Sequence, residues 1–144
     1  MPKPDAALLN PERYPFAHTI TTRFADIDPN RHLNNVALAA MMEDARVRFN
    51  MAQGEAIRIG ERRAMVASVA MEYLAQGHFP DSVTVYNAVE SVGRSSWSVV
   101  QLLVQNDTAV AFARSALVAI ADDRPAPISD AFRTALQGQW GLRP

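Results

Sequence analysis

Between Phe16 and Phe24 apolar and polar residues alternate, which puts Phe16, His18, Ile20, Thr22 and Phe24 on one face and predicts a strand. Asp26 to Arg31 is polar and contains a proline and an asparagine, the composition of a loop. The spacing then predicts a helix from Asn35 to Ala52. Asn34 is placed to cap it, because its side-chain oxygen can accept one of the orphan N–H groups of the first turn. Leu33 and Leu38 flank the cap in the positions of a hydrophobic staple. The run Val36-Ala37-Leu38-Ala39-Ala40-Met41-Met42 has no polar face, so this helix is expected to be wrapped by other structure. Further along, Asp44 with Arg48 and Glu43 with Arg46 are spaced to pair on its surface. Gly54 and Gly60 are expected to close the helical region.

Strand patterns fill most of the remaining chain. They run from Arg63 to Gln76, Ser82 to Val92, Ser96 to Gln105 and Ala109 to Ile120. In the second of these, Val83, Val85, Asn87 and Val89 face one way and Thr84, Tyr86, Ala88 and Glu90 the other. The intervening segments, Gly77 to Asp81, Gly93-Arg94 and Asn106-Asp107, are short enough for antiparallel hairpins. Asp122 to Pro125 is expected to end the sheet, and Ser129 to cap a short helix through Leu136. Residues 1–15 hold four of the nine prolines and read as an extended lead-in. The expectation is one domain over 1–144, with that lead-in and a tail over 125–144. One strand, one apolar helix and four strands make an α+β fold, in which a curved antiparallel sheet covers the helix. A single copy would leave a sheet edge open, so pairing of two copies into one sheet is expected.

Composition narrows the function classes. A chain of 144 residues, 49% hydrophobic and 20% charged, fits one globular domain. A formal net charge of −1 with dispersed arginines argues against a nucleic-acid partner. Cysteine is absent, which excludes disulfides, thiolate nucleophiles and thiolate metal sites. His18, His32 and His78 lie far apart, so neither a metal nor another cofactor is expected. No run is long enough to span a membrane or to form the apolar core of a signal peptide, and the expected location is cytoplasmic.

Chemistry concentrates between Asp26 and Asn35, where two carboxylates, amides, an imidazole and a helix N-terminus fall within ten residues. A carboxylate is ionised at neutral pH and can act as base or nucleophile. Backbone N–H groups at a helix start favour negative charge. The apolar helix behind them offers a wall for an acyl chain. Each residue also has an ordinary reading: acids and amides before a helix are most often caps, His32 can be a loop histidine, and Glu43 can simply balance Arg46.

The segment Phe24-Ala25-Asp26-Ile27-Asp28-Pro29-Asn30-Arg31-His32-Leu33-Asn34-Asn35, followed by Glu43-Asp44-Ala45-Arg46, resembles the hotdog-fold thioesterases of the 4-hydroxybenzoyl-CoA thioesterase-like superfamily. Glu72-Tyr73-Leu74, Asp81 and Val92-Gly93-Arg94-Ser95-Ser96-Trp97 extend the likeness, which covers about residues 16 to 121. It implies a hotdog fold, assembled as a homodimer or homotetramer, that hydrolyses acyl-CoA or acyl-carrier-protein thioesters. By resemblance Asp28 is the catalytic carboxylate, Asn30 orients the thioester or the water, and His32 positions Asp28 or assists proton transfer. Glu43 is a candidate for holding the water. Asn35, Tyr73, Arg94, Ser95 and Ser96 fall where such enzymes contact substrate. The chain departs from the family in carrying Arg31 where a glycine usually precedes the histidine.

Two other readings compete. A hotdog hydratase or dehydratase uses Asp and His in a related pattern, but here His32 is one residue too close to Asp28. A non-catalytic binder of acyl thioesters would keep the fold without the reaction.

Overall fold

The computed structural model describes residues 3–54, 58–59 and 62–144. A helix α1 (Asn35–Ala52) lies against a seven-stranded antiparallel sheet. The strands are β1 (Phe16–Ile20), β2 (Arg58–Ile59), β3 (Arg62–Tyr73), β4 (Val83–Val92), β5 (Ser96–Gln105), β6 (Thr108–Ala121) and β7 (Arg124–Pro125). Their order is β1-β4-β5-β6-β3-β2, with β7 paired to β6. Register shifts at Val66/Ser68 in β3, Val89/Ser91 in β4 and Leu103/Val104 in β5 mark bulges, which add twist and curl the sheet around the helix. This is the α+β hotdog arrangement that the sequence predicts.

Helix α1 has the predicted bounds, and Asn34 Oδ1 accepts from the Ala37 N–H at 2.7 Å. Both staple leucines are buried in one core with Met41, Met42, Val83, Val85 and Leu103. That core fills the concave side of the sheet, where α1 lies over β1, β4 and β5. Phe49 continues it toward Trp97 and Leu117, and the second helix α2 (Asp130–Gln137), capped by Ser129, closes that end with Phe132 and Leu136. The convex side has its own core, in which Tyr14 lies with Val100, Leu102 and Phe112 beneath Leu8 and Leu9. The lead-in is therefore not simply extended: it forms two short 3-10 turns, Ala6–Leu9 and Pro11–Arg13, which fold back as a cover. Among the described residues no helix is long and apolar enough to cross a membrane.

Several expectations need correcting. The first strand stops at Ile20, and Phe24–Asp26 forms a 3-10 turn because the Asp26 carboxylate captures the Arg23 backbone N–H and guanidinium. Phe24 is 75% exposed instead of sharing the half-buried face of Phe16, His18 and Ile20. The segment after β3 is a crossover, since β3 pairs with β6 while β4 pairs with β1 and β5. Asp122 and Asp123 do not end the sheet, because both adopt positive φ and turn the chain back into β7. Arg46 bonds inward to Ser115 Oγ at 3.4 Å instead of pairing with Glu43, whereas Asp44 and Arg48 do pair, at 2.9 Å. The sheet leaves one side of α1 open in a single chain: Val36 is 80% exposed and Ala39 and Ala40 are exposed beside it. Gly54 closes α1 at φ +71°, a left-handed position suited to glycine, and Gly60 lies outside the described residues.

Candidate active site

The loop before α1 is a three-residue hairpin connection. The Arg31 N–H donates to Asp28 O and the Asp28 N–H to His32 O, each at 2.9 Å. Proline at the second turn position and a left-handed residue after the turn are the usual elements of such a loop. That left-handed residue is Arg31, at φ +66°. A side chain there is disfavoured by about 1–2 kcal/mol relative to glycine.

The Asp28 carboxylate organises the loop. Its Oδ1 accepts from the Asn30 N–H at 2.8 Å and the His32 N–H at 3.1 Å. Oδ2 has no partner among the described residues, so one carboxylate oxygen holds the loop and the other is open to a ligand. It is the His32 backbone that grips Asp28. The imidazole instead packs edge-on against His78, with ring centroids 5.3 Å apart.

Two further devices fix this loop. The first is Asp26, 4% exposed, whose backbone oxygen accepts the Asn34 N–H at 2.8 Å. Burial opposes its charge, but the Arg23 guanidinium and backbone N–H outweigh that and hold its carboxyl below the ordinary value. The second is the crossover, where the Leu33 N–H donates to Gly77 O at 2.8 Å. Gln105 staples the crossover in place: its Oε1 accepts the His78 N–H at 2.8 Å, and its Nε2 donates to His78 O at 2.7 Å and Asp81 O at 2.8 Å.

Among the described residues Asp28 borders two cavities. One, of about 500 Å³, lies over the start of α1 and is also lined by Arg23, Asn35, Val36, Ala37 and Ala40. The backbone N–H groups of Asn35 and Val36 belong to the first helical turn and have no intrahelical acceptor. Asp28, the first turn at the positive end of α1 and apolar side chains thus line one space. The other cavity, of about 420 Å³, is lined by Phe24, Ile27, Asp28, Pro29, Arg31 and Phe79.

The remaining candidates lie further off in a single chain. Asn30 is exposed on the loop, and Asn35 borders the first cavity. Glu43 is exposed eight residues along α1 from Asn35, about 12 Å by helical rise. Tyr73 lines a separate cavity at the end of β3 with Lys3, Leu9 and Glu72. Arg94, Ser95 and Ser96 form the turn at the far end of the β4–β5 hairpin, about 30 Å of strand from the loop. There they anchor the C-terminal segment, since Arg94 O accepts the Ile128 N–H at 2.9 Å. Sequence reasoning missed Gln105 and the Asn87–Gln101 pair. Their signal is an amide at a buried position of a strand: Gln101 is fully buried, and its Nε2 donates to Met42 O at 2.8 Å and Asn87 Oδ1 at 2.7 Å, tying α1 to the sheet. No cluster of potential metal ligands occurs among the described residues.

The fold and the loop define an α+β hotdog domain with a carboxylate at the start of its central helix. Residues 22–136 match the model of the thioesterase-like superfamily, and the chain belongs to that family of thioester-hydrolysing enzymes. Among solved structures, a thioesterase from Thermus thermophilus complexed with coenzyme A and zinc is 29% identical, with a TM-score of 0.78 over 92% of this chain and 99% of that one. The PA5185 protein of Pseudomonas aeruginosa is 27% identical, with a TM-score of 0.79 over 92% and 96% of the two chains. A predicted thioesterase from Bacillus stearothermophilus is 27% identical, with a TM-score of 0.78 over 90% and 98%. No curated protein matches the chain.

Proposed function

We propose that the protein hydrolyses acyl thioesters of coenzyme A or an acyl carrier protein at Asp28. The observation that carries this reading is the shared cavity, which Asp28 and the first-turn residues Asn35 and Val36 of α1 line together. Asp28 Oδ2 takes a proton from a water whose oxygen attacks the thioester carbonyl, or attacks that carbon itself. The Asn35 and Val36 N–H groups receive the negative charge that develops on the carbonyl oxygen. The C–S bond then breaks, and the sulfur takes up the proton that Asp28 holds, leaving the free acid and thiol. Where Asp28 itself attacks, the sulfur is protonated from solvent, and water then cleaves the acyl–Asp28 anhydride to the free acid. Asn30 orients the thioester or the water, His32 supports Asp28, and Glu43 is the weaker candidate for holding the water. Coenzyme A bound to the Thermus relative supports that thiol as the carrier here.

A second copy of the chain completes the molecule in this reading. Beyond Arg63, β3 has no strand neighbour on its outer side among the described residues. It leaves Met65, Val66, Val69 and Tyr73 exposed, on the same chain as the exposed Val36. Antiparallel pairing of two β3 edges covers this apolar surface and sets the Arg94–Ser96 end of one copy beside the Tyr73 end of the other, where these residues are candidates to meet substrate.

Thiol release from a panel of acyl-CoAs tests the reaction. Release from saturated acyl-CoAs supports hydrolysis. Loss of enoyl-CoA absorbance without thiol release identifies a hydratase, and binding without either signal identifies a carrier that has lost the reaction.

A further inference from the structure

We propose that the second cavity beside Asp28 selects acyl groups that end in a carboxylate, with Arg31 as the residue that recognises it. The inference rests on the reading of Asp28 as the reacting carboxylate.

Arg31 occupies the left-handed position of the loop, at φ +66°. Glycine fits that position best, so a side chain there carries a standing penalty that the turn itself does not require. Its guanidinium has no hydrogen bond or ion pair among the described residues. Strain retained for an unpartnered cation points to a ligand. The cavity it lines has apolar walls in Phe24, Ile27, Pro29 and Phe79, and Asp28 at one side. Phe24 and Phe79 meet edge to face with centroids 6.1 Å apart, although they are 75% and 38% exposed. Such rings are ordinarily buried, so these two are available to a ligand.

The walls are also held rigid. Phe24 sits in the turn that Asp26 and Arg23 close, and Phe79 lies in the segment that the buried Gln105 amide fastens by three backbone hydrogen bonds. A pre-organised apolar pocket with one cation suits a short apolar linker that ends in a planar anion. The guanidinium fork matches a carboxylate in shape as well as charge. Without Arg31, Asp28 would be the only charge among the described residues that line the cavity and would repel such a tail. The phosphates of coenzyme A lie at the far end of the pantetheine arm, too distant from the thioester to be what Arg31 meets beside Asp28.

The test compares thiol release from matched pairs: succinyl- with butyryl-CoA, glutaryl- with pentanoyl-CoA and adipyl- with hexanoyl-CoA. Wild type, Arg31→Gly and Arg31→Lys are each measured. In at least one pair the wild type is expected to favour the carboxylate by about 10- to 100-fold in kcat/KM, the range of a charge-assisted hydrogen bond. Arg31→Gly collapses or inverts that ratio, and Arg31→Lys keeps part of it. The Arg31→Gly protein should melt no lower than wild type, which excludes misfolding as the cause. The proposal is overturned if the wild type shows no preference in any pair, or if Arg31→Gly lowers both members of a pair by the same factor. The latter result would place Arg31 on the thioester or on coenzyme A. If wild type releases thiol from no substrate, the hydrolase reading fails separately. The specificity is then decided by the Kd values of the glutaryl and pentanoyl thioether analogues of coenzyme A for wild type and Arg31→Gly.

Discussion

Asn34→Ala separates the structural role of this loop from its chemistry. The substitution removes the bond from the Ala37 N–H to Asn34 Oδ1, 2.7 Å in length, and leaves that N–H without a partner at the partly buried start of α1. Loss of such a cap is worth about 1 kcal/mol, within a range of about 0.5–2. In a domain of 144 residues this lowers Tm by about 3–4 °C. The Asn34 N–H to Asp26 O bond involves only backbone, so the loop keeps its path. Fraying of the first turn displaces the Asn35 and Val36 donors, and kcat is expected to fall by less than about tenfold, a small part of what an oxyanion donor contributes. Thermal unfolding followed by circular dichroism, with thiol release on the same samples, measures both effects. Asn34→Ser restores the cap and should recover both. The reasoning is refuted if Asn34→Ala leaves Tm unchanged. It is refuted equally if Asn34→Ser recovers stability while activity stays lost, which would make the amide part of the reaction.

Gln101→Leu strands Asn87 Oδ1 in the core and removes the tie to Met42 O, for an expected loss of about 1–3 kcal/mol in urea unfolding. Adding Asn87→Leu should recover part of it, and strict additivity of the two losses would show that the pair is not coupled. Asp26→Asn should lose about 1–2 kcal/mol at neutral pH, held to the lower part of the range for charged hydrogen bonds because its partner Arg23 is 75% exposed. The Asp26 carboxyl is depressed in the fold, so its contribution is full above the unfolded value of about 3.9 and disappears as pH falls through the folded value. The gap between wild type and Asp26→Asn must therefore narrow in acid, and a gap independent of pH would contradict the assignment. Val69→Asp places a charge on the exposed face of β3, and light scattering should find a dimer for the wild type and a single chain for the variant. A wild type that is already monomeric would remove β3 as the pairing edge.

The long helix was fully legible, because its two ends carry local signals: an asparagine cap at Asn34, and Gly54 at a left-handed position. The strands were legible by their period of two, and Val83, Val85, Asn87 and Val89, which that period puts on one face, are all buried. What period does not carry is pairing. Arg63 to Tyr73 reads the same whether its neighbour is β4 or β6, so the crossover at Gly77 to Asp81 passed for a hairpin. Competition between local and long-range partners misled in two more places. Asp26 captures Arg23 and coils Phe24 out of the strand, and Ser115, 69 residues away, draws Arg46 from Glu43. Within the candidate site, Asp28, Asn30, His32 and Asn35 lie together because they are neighbours in sequence. Tyr73 and the Arg94–Ser96 turn are held elsewhere by the sheet, and no local pattern encodes that separation.

The proposed hydrolysis depends on the carboxylate of Asp28. Asp28→Asn is nearly isosteric and keeps an Oδ1 acceptor for the Asn30 and His32 N–H groups, so the loop and Tm should survive. It removes the charge that, in the proposed reaction, activates water or attacks the carbonyl. With the best acyl-CoA of the panel, thiol release by a folded Asp28→Asn protein should fall by about 10²- to 10⁴-fold. Turnover within tenfold of wild type, by a variant that melts at the wild-type temperature, would place the reaction elsewhere in the molecule.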